Sequence, residues 1–302
     1  MAQLNELQQR VVNTLDRNLL VLASAGTGKT NTLAHRVAHI ITSGRASAEA
    51  ILCMTFTNKA SREMKDRIAT IAGSSAKAVE VSTFHSFCYK VIREESKRND
   101  GLYAESAIYD EEDAKEILLP WKQDGVKDML FAAAVAHVKE YRSLWNYYGD
   151  DEEADLQRTI DRLIKEEEAV MLRFFGGKDS FIAKSGLSDF KKDGARRIAG
   201  YNRALADLHG MDFTDLITEV RRLFNDPETA SRWQQRYQYI CVDEMQDTGE
   251  LEAAVLKVLW TGNRVLLCGD YFQTIYEWRG SKPLELLDDY KAEFDPETIV
   301  FY

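Results

Sequence analysis

Lys29, Thr30, Asp243 and Glu244 are the residues of this sequence whose types and settings suit chemistry on a phosphate. Lys29 and Thr30 close the stretch Ala23-Ser24-Ala25-Gly26-Thr27-Gly28-Lys29-Thr30. An apolar run at 19–22 precedes it, and Leu33, Val37, Ile40 and Ile41 follow at helical spacing. Strand, glycine-rich turn, Gly-Lys-Thr and helix are the parts of a phosphate-binding loop. Backbone N–H groups and the positive helix end surround the phosphate oxygens, Lys29 reaches the outer phosphates, and the Thr30 hydroxyl ligates Mg²⁺. Ala23 stands where that pattern usually has its first glycine. Asp243 and Glu244 end the apolar run at 239–242. At the carboxyl end of a parallel strand, acids face the ligand crevice. There Asp243 would hold Mg²⁺, directly or through water, and Glu244 would orient and deprotonate an attacking water. An acidic pair after a strand is also a common helix cap; the upstream phosphate loop and the Met245-Gln246-Asp247-Thr248 sequel favour the catalytic reading. A further strand-like run at 265–268 leads to Gly269-Asp270, beyond which Gln273 is placed to sense an outer phosphate as an amide donor. Trp278 beside Arg279 offers a stacking face and a phosphate contact to a single strand, or else packs its ring against the sheet.

These residues need a scaffold that brings distant strand ends together. Apolar runs at 19–22, 51–54, 79–82, 239–242, 265–268 and 298–301 read as strands, and amphipathic helices separate them. That alternation predicts an α/β fold with a parallel sheet covered on both faces. Between about 94 and 210 helical periodicity and charge dominate, and no strand is predicted. The expected organisation is therefore an α/β domain over 1–93 and 211–302, interrupted by a helical insertion over 94–210. Asp110 is placed to cap a helix that starts at Glu111, Glu112 and Asp113. The acidic run at 150–153 reads as a solvated helix start or loop. Lys191, Lys192, Arg196, Arg197 and Arg203 form a basic helical stretch, either a solvated face or a phosphate contact.

With 302 residues, 45% of them hydrophobic, the chain can build two packed domains. Its formal net charge of −10 excludes bulk attraction to nucleic acid, so any such contact must run through a local groove. No apolar run approaches a membrane span, and the N-terminal residues lack a signal-peptide pattern. Cys53, Cys88, Cys241 and Cys268 show no Cys-x-x-Cys spacing, and three of them lie in strand-like runs. Reduced, buried thiols in a cytoplasmic protein are the expectation.

In order along the chain, the motifs resemble those of the N-terminal motor half of UvrD/Rep-type superfamily 1 DNA helicases. Leu4-Asn5-Glu6-Leu7-Gln8 resembles the Q motif, with Gln8 in the place of the glutamine that reads the adenine edge. Ala25 to Thr30 resembles motif I, Thr55-Phe56-Thr57-Asn58-Lys59-Ala60 motif Ia, and Thr83-Phe84-His85-Ser86 motif Ib. Asp212-Phe213-Thr214-Asp215-Leu216 resembles the segment that re-enters the motor domain. Asp243 to Thr248 resembles motif II, and Gly269-Asp270 through Trp278-Arg279-Gly280 motif III. Asn31 replaces the family's basic residue after the motif I threonine, and Ala23-Ser24-Ala25 is closer to the RecB/AddA branch.

The resemblance implies a RecA-like P-loop NTPase sheet (domain 1A) with a helical insertion (1B). It implies an ATP-dependent 3′–5′ helicase or translocase in DNA repair, replication or recombination, using ATP and Mg²⁺ on single-stranded DNA and single-strand/duplex junctions. Gln8, Ala25, Gly26, Thr27, Gly28, Lys29 and Thr30 would hold the nucleotide; Thr30 and Asp243 the metal; Glu244, Lys29 and Gln273 would act in hydrolysis. Phe56, Asn58, His85, Trp278 and Arg279 would line the DNA path. Motifs IV to VI lie outside the sequence, so domains 2A and 2B are expected in a longer protein, and the chain alone is expected to be nearly inactive. The alternatives are a nucleotide-gated DNA-binding module without unwinding activity and a phosphotransferase; the motif II glutamate, suited to activating water, argues against the latter.

Overall fold

The computed structural model describes residues 4–24, 26–98, 106–177, 181–270 and 283–301. The chain divides into two compact units, 1–87 with 223–302, and 88–222.

The first unit is built on a six-stranded, wholly parallel sheet. Its strands are β1 (Leu19–Ala23), β2 (Ile51–Thr55), β3 (Glu80–Thr83), β6 (Tyr239–Val242), β7 (Arg264–Gly269) and β8 (Glu297–Phe301), in the order β3-β2-β6-β7-β1-β8. Strand side chains alternate between two faces, and here both faces are apolar. Leu19, Val21, Ile51, Cys53, Cys241 and Leu266 belong to one core cluster. Their neighbours Leu20, Leu52, Ile240, Val242, Val265 and Leu267 are buried too. The continuous apolar runs of the sequence are therefore the signature of a sheet covered on both sides.

The first helices are α1 (Glu6–Asn13), α2 (Lys29–Thr42), α3 (Asn58–Ala72) and α4 (Phe84–Arg98). On one sheet face, α2 contributes Leu33, Ala34, Val37 and Ile40, and α3 Met64 and Ile68. Thr57 starts α3 by accepting a hydrogen bond from the Ala60 N–H at 3.1 Å.

The second unit holds α5 (Glu111–Leu118), α6 (Asp128–Leu144), α7 (Glu152–Phe174), α8 (Phe181–Asp207) and most of α9 (Phe213–Leu223). Phe131, Leu156, Ile160, Phe190 and Ile198 are among its core, with the Phe131 and Phe190 rings edge-to-face at 6.0 Å. Asp110 caps α5 through the Glu112 and Asp113 N–H groups, as the sequence predicts. Within the acidic run, Asp151 caps α7 and Glu152 pairs with Arg142 at 2.7 Å. Glu167 interrupts α7 with non-helical backbone angles (φ −134°, ψ 36°).

Three features differ from the sequence reading. The insertion contains a short parallel pair, β4 (Ala107–Ile108) with β5 (Gly210–Met211). Gly210 permits it, because a Cβ there would sit 2.0 Å from the Tyr109 ring. The compact division falls at 88 and 223 rather than 94 and 211. Asp212 and Asp215 bind Lys139 of α6 and thus fasten the start of α9 to the second unit. The basic stretch of α8, read as a solvated face or a phosphate contact, is partly paired: Lys192, Arg196 and Arg197 pair with Asp189 and Asp193 at i−3 and i−4, and Lys191 lies 4.0 Å from Asp161 of α7.

The remaining helices are α10 (Pro227–Arg236), α11 (Glu250–Trp260) and α12 (Pro283–Phe294), all in the first unit. Asp226 caps α10, whose first residue is Pro227, a position where the missing N–H costs nothing. Trp260 of α11 donates Nε1–H to Glu293 at 3.0 Å and packs on Tyr290 and Phe294.

Candidate active site

Five strand ends line one edge of the parallel sheet. β1 runs into the loop that begins α2, and β6 runs into Asp243 and Glu244. β7 lies between them and ends at Gly269. β2 ends just before Phe56, and β3 leads directly into Phe84 and His85. In the loop, Gly26 (φ 78°) and Gly28 (φ 84°) hold the left-handed conformation that favours glycine. Gly28 immediately precedes α2, so the loop turns straight into the free N–H groups of the helix.

Across this edge the two halves of the site touch. The Thr30 hydroxyl donates to Asp243 Oδ2 at 3.2 Å. Lys29 Nζ lies 3.2 Å from Glu244 Oε2, and the lysine is only 7% exposed. Burial, then the neighbouring Glu244 charge, pushes the Asp243 carboxyl up to about 6; Thr30 and Lys29 pull the other way. Asp247 is likewise raised to about 6 by burial and by Glu244. Negative charge is crowded at this strand end, a setting that favours a cation.

Glu244 adopts φ 53°, an uncommon conformation for a non-glycine residue. Gln246 holds it there. Its Nε2 donates to Glu244 Oε2 at 2.8 Å, while its Oε1 accepts from the Asp270 N–H at 3.0 Å. The Gln246 amide thus ties the glutamate to the end of β7. Gly269 makes room for it, because a Cβ there would lie 2.3 Å from Gln246 Oε1 and 2.8 Å from Met245 Cγ. Gly269→Ala is expected to lower stability by about 1–3 kcal/mol, the usual cost of overpacking, read as a lower urea midpoint. An unchanged midpoint would mean that Gln246 moves aside freely.

Gln8 is built into the loop from the other side. Asn5 and Gln8 form a reciprocal capping box at the start of α1, at 2.9 Å in each direction. Gln8 Nε2 also donates to the Thr27 carbonyl at 2.9 Å. An amide has two N–H donors and two acceptor lone pairs, so one of each is left after these contacts. That remaining pair complements the N7 acceptor and N6 donor of adenine.

Of the expected site residues, the structure brings together Gln8, Thr27, Gly28, Lys29, Thr30, Asp243 and Glu244. Phe56 and Asn58 follow β2, and His85 lies in the first turn of α4, after the neighbouring strand β3. Phe56 and His85 are half-buried, and Asn58 is exposed. Ala25, Gln273, Trp278 and Arg279 lie outside the described residues. Sequence reasoning quoted both Gln246 and Gly269 without a role; for Gly269, a glycine closing an otherwise large-residue strand was the available signal.

The four cysteines are buried and free, and no helix among the described residues is long and apolar enough to cross a membrane. Among those residues no cluster of three or more His, Cys, Asp or Glu forms a metal cage. Magnesium bound with a nucleotide needs only one or two protein oxygens.

Residues 4–294 match the model of the UvrD/REP helicase N-terminal domain. The chain belongs to this family. Proteins similar to it include one named "Probable DNA helicase II homolog" from Mycoplasma capricolum, 32% identical over 281 residues, covering 92% of this chain and 36% of that protein. The ATP-dependent DNA helicase PcrA of Staphylococcus aureus is 30% identical over 305 residues, with 98% and 37% coverage. PcrA of Staphylococcus epidermidis is 31% identical over 309 residues, with 99% and 37% coverage. The chain therefore spans little more than a third of the length of these relatives.

Proposed function

We propose that this chain is the nucleotide-binding motor portion of an ATP-dependent DNA helicase that moves 3′–5′ on single-stranded DNA. The observation that carries the reading is the meeting of Lys29 and Thr30 with Glu244 and Asp243 at one sheet edge. A lone phosphate loop would bind a nucleotide; the buried Asp243 and the half-buried Glu244 facing it would supply a metal ligand and a base for hydrolysis. The residues also fit Mg²⁺. The Thr30 hydroxyl and the Asp243 carboxylate place two hard oxygens side by side, and the raised Asp243 carboxyl marks charge that a cation would relieve. Bound Mg²⁺ would neutralise charge on the outer phosphates.

The protein's own residues have separable roles in this reading. The loop N–H groups and the start of α2 bind the phosphates. Lys29 exchanges its Glu244 partner for a phosphate oxygen. Glu244, freed from Lys29 but still held by Gln246, orients an attacking water and accepts its proton at a carboxylate oxygen. Gln8 presents its remaining donor and acceptor to the adenine edge. Gln273 would sense the outer phosphate. The domains 1A and 1B of the family would correspond to the α/β unit and the helical unit, with further motor domains 2A and 2B in a longer protein.

Single-stranded DNA would cross the carboxyl ends of β2 and β3, where Phe56, Asn58 and His85 lie, and continue to Trp278 and Arg279. Phe56→Ala is expected to weaken binding of a single-stranded oligonucleotide by ~1–3 kcal/mol, measured by fluorescence anisotropy. Affinity should also fall as salt rises, because phosphate neutralisation releases counterions. Wild-type affinity in the Phe56 variant would return that ring to a packing role. In the longer protein with domains 2A and 2B, ATP turnover that rises on adding single-stranded DNA would support the reading; transfer of phosphate to a small molecule instead of water would overturn it.

A further inference from the structure

Arg36 lies on the face of α2 that also carries Leu33, Val37 and Ile40, and it is buried to 1% exposure. No carboxylate is paired with it among the described residues. Its Nη1 instead donates to two backbone carbonyls, Val11 and Thr14, each at 2.5 Å. Val11 lies in the last turn of α1, and Thr14 is its C-cap. A buried cation is thus set against the negative end of a short helix, where dipole and charge favour each other.

The helix it holds has little independent reason to form. At eight residues α1 is below the length at which an isolated helix is stable in water. Leu15 in the link that follows it is buried, although Asp16 and Arg17 are exposed, and the carbonyls on this inner side take protein donors. Arg36 serves Val11 and Thr14, and the Tyr239 hydroxyl serves Leu15 at 3.1 Å. Of these donors Arg36 alone comes from α2, the helix that begins with Lys29 and Thr30.

One helix therefore presents Gln8 at its start and is clamped by Arg36 at its end. The phosphate loop sits at the start of the clamping helix, and Gln8 reaches that loop through Thr27. We infer that Arg36 is a positioning residue for nucleobase recognition: by fixing the end of α1 to α2, it sets Gln8 at a defined height over the phosphate loop. Without the clamp, α1 can pivot about its remaining contacts. The loop, whose own contacts run to Ser24 and Asp243, keeps its geometry while the base reader loses register.

The inference rests on the proposed adenine contact of Gln8, and the test separates the two. Affinities of the 302-residue chain are measured for Mg²⁺ complexes of non-hydrolysable ATP and GTP analogues and of tripolyphosphate. The chains compared are wild type, Gln8→Ala, Arg36→Met, Arg36→Lys and the Gln8→Ala/Arg36→Met pair. Gln8→Ala should lower the preference for adenine over guanine roughly tenfold, the factor for one good hydrogen bond. Arg36→Met should lower it to the same level with tripolyphosphate affinity kept, and the double variant should add nothing further. Arg36→Lys, which keeps the charge but loses the planar fork, should fall between. A folded Arg36→Met chain with the wild-type base preference overturns the inference and spares the Gln8 reading. So does parallel loss of nucleotide and tripolyphosphate, which would mark a general loosening. Where Arg36→Met fails to fold, the decision falls to Arg36→Lys, and a wild-type preference there also overturns it. No change in Gln8→Ala overturns the adenine contact and this inference with it.

Discussion

Replacing Glu244 by glutamine is expected to leave nucleotide affinity within a few-fold of the parent chain while lowering ATP turnover, read in the longer protein proposed to carry domains 2A and 2B, by roughly 10²–10⁴-fold, the range for a lost general base. The change is isosteric. The glutamine can still accept from Gln246 Nε2, so the left-handed turn at 244 keeps its support. What disappears is the basic oxygen, together with the charge that pairs with Lys29. Losing that charge frees Lys29 for phosphate, so binding should not weaken. Lys29→Ala should do the opposite. It removes the buried cation and leaves Asp243, Glu244 and Asp247 facing an incoming triphosphate with no counter-charge. Affinity should drop roughly 10–100-fold, the span of one charge-assisted hydrogen bond. Calorimetry with a non-hydrolysable analogue gives the affinities, and phosphate release gives the turnover. Equal loss of affinity in the two variants would refute this division of roles.

The sheet was legible because a parallel sheet covered on both faces leaves a simple trace. The inner strands β1, β2, β6 and β7 each interrupt helical periodicity with a short apolar run, while the edge strands β3 and β8 mix polar residues with apolar ones. The two sides of the site were legible for a related reason: Gly28-Lys29-Thr30 and Asp243-Glu244 each stand at the end of such a run. Their meeting at 3.2 Å was not written in either segment, because it depends on strand order, with β7 interposed between β6 and β1.

Other features escaped because their determinants are remote in sequence. Two residues cannot declare themselves a strand, and the β4–β5 pair exists only because Ala107 and Ile108 meet Gly210 and Met211 a hundred residues later. Gln246 acts through Glu244 and the Asp270 N–H, neither of which a pattern marks as its partner. The basic stretch of α8 did carry its answer, since Asp189 and Asp193 stand three or four residues before the cations they neutralise. Arg36 also left a trace, as a charge within the apolar stripe of α2.

Lys139→Met is expected to destabilise the helical unit by about 3–5 kcal/mol at pH 7, the cost of removing one partner from a buried ion pair. Lys139 is 6% exposed, with Nζ 2.7 Å from Asp212 Oδ2 and 2.6 Å from Asp215 Oδ1. Asp212 also accepts from the Tyr201 hydroxyl at 2.9 Å and from the Asp215 N–H at 2.8 Å. Burial opposes the lysine charge, but the two carboxylates outweigh it and raise its pKa. The same contacts hold Asp212 below its usual range against burial. Burial and the Asp212 charge instead raise Asp215 to about 6. An acid whose folded pKa is raised binds its proton more tightly in the native state, so its effect on stability turns unfavourable as pH climbs from about 4 to about 6. With Lys139 gone, only the Tyr201 hydroxyl and backbone N–H groups offset the repulsion between the two carboxylates, and that unfavourable effect grows. The loss relative to wild type should therefore shrink when the pH is lowered from 7 to 5, as Asp215 takes up a proton. Urea unfolding at both values, followed by circular dichroism, reads the difference. Wild-type stability at pH 7, or a gap that widens at pH 5, would show that the lysine is not what holds these carboxylates together.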